Sequence, residues 1–256
     1  MISCSLKGGL GNQMFQIAAT YSLALDNSDS AVFNLDECYT PLQGKTSNYY
    51  KNSIFKNLET NSKLQFQNFY KEISFNYNKI PYSKNLLIDG YFQNENYFAH
   101  NSEEIKKLFY FDDSVKNKII NHFNIPFESC VSVHVRRGDY LRFPEIHPIC
   151  DVNYYLQAMN YFQPDTKFIF ISDDINWVKN TFRNNNYLYS DFKDEIFDLT
   201  LMTLCSSNII ANSTFSWWGA YLNKNKNKKV LCPPFWFGPE GPQENIVLSN
   251  WLKINK

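Results

Sequence analysis

Cys130-Val131-Ser132-Val133-His134-Val135-Arg136-Arg137-Gly138-Asp139-Tyr140 decides the fold class of this chain. Its first six residues mix small, polar and apolar side chains and are rich in β-branched types, which favours a mostly buried strand over a helical turn. Gly138 then permits a sharp turn. Two adjacent guanidiniums, Arg136 and Arg137, therefore stand at the carboxyl end of a strand beside the carboxylate of Asp139. Ligands bind at that end of open α/β sheets, and the planar guanidinium fork suits phosphate oxygens in a way that lysine cannot reproduce. These residues alone leave two readings open: an anion site, or a surface Arg/Asp ion pair on a loop.

Outward from this strand, the second half alternates regularly. A helix is expected over Val152–Phe162, then a strand at Lys167–Ile171, the turn Ser172-Asp173-Asp174 and a helix over 175–184. A helix from Glu195 to Cys205 follows, then a strand at Asn208–Ala211, a helix opening near Ser213 and a strand at Lys229–Cys232. Alternating strands and helices imply a parallel sheet covered on both faces. Asn223–Lys229, a polar cationic run, reads as a solvated turn.

The amino end repeats the theme with a strand at Ile2–Leu6, a glycine turn over Lys7–Asn12 and a helix from Met14 to Leu25. Further strands are expected at Ala31–Leu35 and Leu86–Phe92, irregular structure over 40–80, and a helix near 102–122. The division expected is 1–127 and 128–256.

With 256 residues the chain can form one large domain or two small ones. Its 25 basic and 25 acidic residues cancel, so no global field favours nucleic acid or an anionic membrane, and any anion site must be local. The six cysteines show neither Cys-x-x-Cys pairing nor histidines at zinc spacing, which argues against a structural metal. Cys4, Cys130, Cys205 and Cys232 lie in apolar runs and read as buried thiols. No signal-like start and no apolar run of membrane-spanning length occurs, so a cytoplasmic protein without a transmembrane segment is expected, compatible with peripheral membrane contact.

Three further motifs end strands. Gly8-Gly9-Leu10-Gly11-Asn12-Gln13 lets backbone amides approach a polar or anionic ligand closely, or is simply a tight turn with good helix packing. It fails the dinucleotide fingerprint, because Met14 holds the third glycine position, and it lacks the P-loop ending. Ser213-Thr214-Phe215 opens a helix after a strand, so its hydroxyls can cap that helix, bind a phosphate, or both. Asp173-Asp174 can cap a helix or bind ribose hydroxyls and guanine nitrogens. No Asp-x-Asp triplet occurs, so a metal-bridged diphosphate is not expected.

Taken together, these motifs resemble the α-1,2-fucosyltransferases, glycosyltransferase family 11. The matching residues are Gly8–Gln16, Asp89–Gln93 with Tyr97-Phe98, His134–Tyr140, Ser172–Asp174 and Ser213–Tyr221, in the family's order and over nearly the whole chain. More distantly, the α-1,6- and protein O-fucosyltransferases share the His-x-Arg strand end. The resemblance implies an α/β fold of GT-B type, two Rossmann-like domains facing a cleft, with an amino-terminal acceptor side and GDP-fucose held mainly by the carboxyl-terminal domain.

It further implies inverting, metal-independent transfer of L-fucose to a hydroxyl of a glycan acceptor, in the family the 2-hydroxyl of a terminal galactose, with no cofactor beyond the donor substrate. By that similarity Arg136 grips the β-phosphate and His134 lies near the nucleoside. Asp173 or Asp198 reads guanine or ribose, and Ser213, Thr214 and Phe215 line the diphosphate and base. Gly11 and Asn12 approach fucose and β-phosphate from the other domain. Asp139 is the first candidate for a general base and Glu145 the second, with a purely orienting role for Asp139 toward Arg137 as the alternative. Segments 36–85 and 141–150 match no named motif and are where an acceptor is selected. The competing readings are a nucleotide-sugar or glycan-binding protein without turnover, a fucosyltransferase of different linkage, and a Rossmann oxidoreductase, which the failed glycine fingerprint disfavours.

Overall fold

The computed structural model describes residues 1–36, 45–242 and 246–254; Cys38 lies outside them. The chain divides into two compact units, Met1–Asp112 and Asp113–Lys256.

The first unit contains β1 (Ile2–Cys4), α1 (Leu10–Asp26), β2 (Asn68–Lys71), β3 (Leu86–Asp89) and α2 (Ser102–Leu108). Its sheet is parallel with order β1-β3-β2. The strand expected at 31–35 is reduced to two parallel bridges, Ile2 with Ala31 and Phe33 with Thr60. β2 falls inside a segment expected to be irregular. Its residues are exposed or half-exposed, so no buried alternation betrays it. β3 stops at Asp89, because Gly90 turns the chain and Phe92 takes a positive φ of 51°.

α1 begins at Leu10, four residues before the expected start, with Gly9 as an extended N-cap. Gly11 and Asn12 thus belong to its first turn, and only Gly8 has the left-handed backbone, φ 77°, that favours glycine. The single helix expected near 102–122 is two, α2 and α3 (Asp113–Phe123). Phe109, buried against Phe55, and Tyr110, whose N–H donates to the Ile54 carbonyl, are pulled out of helical geometry by tertiary contacts.

The second unit continues with β4 (Cys130–Val135), α4 (Val152–Met159), β5 (Lys167–Ser172), α5 (Ile175–Thr181), β6 (Tyr187–Tyr189), α6 (Glu195–Leu204), β7 (Ser207–Ile209), α7 (Thr214–Leu222), β8 (Val230–Cys232) and β9 (Leu252–Lys253). α3 packs on α6 and so belongs with this unit. All strand pairs are parallel, in the order β6-β5-β4-β7-β8-β9. Every residue of β4 is buried, as both covered faces demand. The short strands β6 and β9 were not expected from the sequence, since neither contains a fully buried residue.

Two buried asparagines inside this unit are paired. Asn208 Nδ2 donates to Ser132 Oγ at 2.7 Å and to the Met202 carbonyl at 2.9 Å, while Asn223 Nδ2 donates to Asn208 Oδ1 at 2.9 Å and to the Cys205 carbonyl at 2.8 Å. Lys228 Nζ donates to the Ala220 and Asn223 carbonyls, each at 2.6 Å, and so caps the end of α7. The run expected to be a solvated turn therefore carries two anchors. Cys4, Cys130, Cys150, Cys205 and Cys232 are buried free thiols.

α6 and α7 meet where a Cβ on Gly219 would lie 2.6 Å from Met202 Sδ. Gly219→Val is expected to cost about 1–3 kcal/mol through overpacking. A lowered urea midpoint at unchanged slope would register the loss.

Candidate active site

In the second sheet the chain runs outward from β4 through β5 to β6, then returns to β4's other side with β7. The strand order reverses between β4 and β7, and ligands of open α/β sheets bind in the crevice outside the carboxyl ends at such a point. His134 and Arg136 come from the end of β4, and Ser213, Thr214 and Phe215 follow β7. The His134 and Phe215 rings lie 5.3 Å apart, so the two motifs share one site.

His134 is buried, and burial with the neighbouring Arg136 charge pushes its pKa down from 6.5 to about 3. The ring is neutral at working pH. Its Nδ1 is buried with no hydrogen-bond partner among the described residues, so it can serve a ligand's hydrogen bond and not its charge.

Arg136 is held by two carboxylates. Nη2 donates to Asp139 Oδ1 at 2.6 Å, and Nη1 lies 3.0 Å from Asp173 Oδ2. Burial works against its charge, but Asp173 and Asp139 outweigh burial and raise its pKa. Nε is buried and unpartnered among the described residues. A guanidinium carries five N–H donors, so Nε and the unused Nη protons stay free for an anion.

Arg137 points elsewhere. Its Nε donates to Asp174 Oδ2 at 3.2 Å and its guanidinium lies 3.7 Å from the centre of the Trp177 ring, while its backbone N–H donates to Asp173 Oδ1 at 2.9 Å. Asp139 therefore orients Arg136, correcting the expectation that it orients Arg137. The paired aspartates also separate. Asp174 caps α5 by accepting from Trp177 N–H, whereas Asp173 binds both arginines. Gly138 is required for space, since a Cβ there would lie 2.5 Å from Asp173 Oδ2.

Asp151, Asp174 and Asp194 cap α4, α5 and α6 through their side chains. Ser213 occupies the N-cap of α7, yet its side chain makes no capping bond, contrary to the capping option read from the sequence. Asp198 lies on α6, where it accepts from Ser190 Oγ at 2.5 Å beyond the end of β6, two strands from β4. Burial pushes its carboxyl up from 3.8 to about 7. The Glu145 side chain is exposed, and its carbonyl accepts from Glu240 N–H at 3.2 Å.

Two organising residues had no assigned role in the sequence reading. Tyr140 Oη donates to the Asn212 carbonyl at 2.9 Å, and Asn212 Nδ2 donates to the Pro148 and Trp236 carbonyls, both at 2.9 Å. Asn212 thus ties the turn after β4 to the turn after β7. Its only sequence signal was its place at the strand end.

In the first unit, Gln13 Nε2 donates to the Gly8 carbonyl at 2.9 Å, and Gln16 holds the Lys7 backbone at both its N–H and carbonyl. These glutamines shape the glycine loop. Gln93 Nε2 donates to Asn12 Oδ1 at 3.0 Å, which turns Asn12 Nδ2 toward Gly8; a Cβ at Gly8 would lie 2.5 Å from that nitrogen. Glu72 accepts from Tyr91 N–H at 2.6 Å and Phe92 N–H at 3.0 Å, fixing the turn that presents Gln93. Gln93→Leu removes the hydrogen bond to Asn12 Oδ1. Steady-state kinetics should register a drop in kcat/KM of about tenfold.

The model of "Glycosyl transferase family 11" matches residues 1–255. The chain belongs to glycosyltransferase family 11. Within family 11 it is 31% identical to the O-antigen biosynthesis glycosyltransferase WbnK of Escherichia coli, over 99% of this chain and 100% of the relative. It is 29% identical to an alpha-1,2-colitosyltransferase of Escherichia coli, over 100% and 99%, and 26% identical to galactoside alpha-(1,2)-fucosyltransferase 2 of Oryctolagus cuniculus, over 87% and 67%. The crystal structure of NodZ alpha-1,6-fucosyltransferase co-crystallized with GDP matches with a TM-score of 0.56 at 12% identity, covering 85% of this chain and 91% of that one. The fold is accordingly of the GT-B type expected. Among the described residues no helix is long and apolar enough to cross a membrane.

Proposed function

We propose that this family 11 glycosyltransferase transfers L-fucose from GDP-fucose, with inversion, to the 2-hydroxyl of a terminal galactose on a glycan. The observation that carries the reading is the switch-point constellation of neutral buried His134, carboxylate-held Arg136 and uncapped α7. It supplies donors for a diphosphate and an aromatic face, Phe215, for a nucleoside. A relative with the same fold was crystallized with GDP, which supports a guanosine diphosphate donor. Two relatives with different sugars in their names share the α-1,2 linkage, so linkage is the better supported half of the reading.

The acceptor oxygen attacks the anomeric carbon as the carbon–oxygen bond to GDP breaks, and the bond's electrons pass to the β-phosphate. Arg136 and the α7 amides stabilise that charge where it develops. Asp139 orients Arg136 and has its second oxygen left to accept the hydroxyl proton. Asp198 accepts from guanine. No metal is required by this chemistry. Among the described residues no cluster of three or more His, Cys, Asp or Glu is arranged to hold one.

The colitosyl name of the 29% relative favours one second reading, a 3-deoxy donor sugar in the same site. A pocket that hydrogen-bonds the fucose 3-hydroxyl rejects the deoxy analogue by orders of magnitude, whereas an apolar one does not. GDP release from GDP-fucose and GDP-colitose should be measured with lactose and N-acetyllactosamine, with and without EDTA. Acceptor-dependent release from GDP-fucose, unchanged by chelator and giving an α-1,2 product by NMR, is expected. A strict metal requirement overturns the electrostatic account, and preference for GDP-colitose selects the second reading.

A further inference from the structure

The first unit carries an open cavity of about 280 Å³ that takes no part in the donor chemistry above. It lies just past the bridge between Phe33 and Thr60, following the short segment that pairs with β1. This is the carboxyl edge of the parallel sheet, the edge at which β1 gives way to the glycine loop and β3 to Gly90. Polar side chains of Asp36, Lys51, Thr60, Asn61 and Ser62 line it over the fully buried ring of Phe33. The stretch leading to Lys51 is fastened to the glycine loop, because Gln13 Nε2 donates both to the Gly8 carbonyl and, at 3.1 Å, to the Lys45 carbonyl.

The lining selects a chemistry. Among the described residues neither Asp36 nor Lys51 has an ion-pair partner, and no ion pair joins them to each other. An anionic ligand would meet the Asp36 carboxylate and a cationic one the Lys51 ammonium. A neutral polyol suits both, since each hydroxyl donates and accepts. Small-molecule sites usually enclose roughly 300–1,000 Å³, so this one, at the low end, takes about one ring.

We propose that this cavity binds one neutral pyranose ring of the acceptor glycan. Asp36 accepts from two adjacent ring hydroxyls, Lys51 and Asn61 donate to hydroxyl or ring oxygens, and Thr60 and Ser62 complete the rim. The proposal rests on the glycosyl-transfer reading and names where its acceptor is recognised. The lining falls in a stretch of the chain that matches none of the family motifs, where selection among acceptors is free to vary.

Asp36→Asn, Lys51→Met and Asn61→Ala alter exposed side chains, and thermal melts check that each variant folds as the parent does. With GDP-fucose as donor and N-acetyllactosamine as acceptor, each should raise the acceptor KM about tenfold or more while the donor KM and acceptor-free donor hydrolysis stay unchanged. An acceptor KM unchanged in both Asp36→Asn and Lys51→Met overturns the subsite while leaving the transferase reading intact. If the parent transfers to no acceptor in a glycan panel, the functional reading fails, and direct binding to a neutral-glycan array then decides the cavity separately. Binding that Lys51→Met abolishes sustains the subsite, and binding that is absent or unaffected overturns it.

Discussion

Arg136→Lys should lower donor kcat about a hundredfold or more, with a smaller change in donor KM. The reason lies in how the guanidinium is held. Nη2 and Nη1 engage Asp139 at 2.6 Å and Asp173 at 3.0 Å, leaving Nε and the outer Nη protons for the ligand. A lysine ammonium has three donors on one nitrogen. It cannot reach two carboxylates and also present a planar pair of N–H groups to a phosphate. One carboxylate would then stand unpaired beside an incoming diphosphate, so retaining the positive charge is insufficient. Because charge on the β-phosphate grows as GDP departs, the loss falls mainly on the transition state. Single-turnover rates and donor KM, measured together, check this. Near-normal turnover would remove Arg136 from the role of leaving-group partner.

The same residues show how far sequence reasoning reached. β4 was expected within its observed bounds because six consecutive residues of one buried strand carry a strong local signal, and the switch-point placement of His134 and Arg136 follows from alternation of strands and helices. What sequence could not fix was partnership. Arg136 and Arg137 are adjacent and chemically identical, yet one faces two carboxylates across the site and the other lies over Trp177. Strand alternation puts neighbours on opposite faces, but which face is the ligand's depends on β5 and α5, distant in the chain. Asp173 and Asp174 divide their roles for the same reason. β2, β6 and β9 escaped because their residues are exposed or half-exposed and short pairing contacts leave no periodic trace. Gln13, Gln16 and Asn212 act through backbone carbonyls and N–H groups, which a sequence does not display.

Asp198→Asn should move stability and donor affinity in opposite directions at pH 8. Burial raises the Asp198 carboxyl from 3.8 to about 7, with Asp194 and Glu195 adding to the rise and the Ser190 hydroxyl partly offsetting it. A carboxyl raised in the folded state favours folding while protonated. Its contribution is fully present below about pH 3.8 and is lost as pH rises through about 7. At pH 8 the fold therefore carries a buried carboxylate whose cost has an upper bound on the order of 4 kcal/mol. The neutral, nearly isosteric asparagine removes that dependence. Urea midpoints should place the variant above the parent at pH 8, with the gap closing toward pH 5. On the ligand side, an ionised carboxylate accepts two guanine N–H groups, whereas asparagine offers one acceptor and an opposing donor. Donor KM should rise about ten- to a hundredfold in the variant. In the parent, donor affinity should improve from pH 6 to 8, and in the variant it should not. Stabilisation without a change in donor KM would make Asp198 a structural residue and leave guanine recognition to Asp173. Both effects together would mark a charge kept against the fold's preference because the ligand needs it, the usual trade between stability and activity at a binding site.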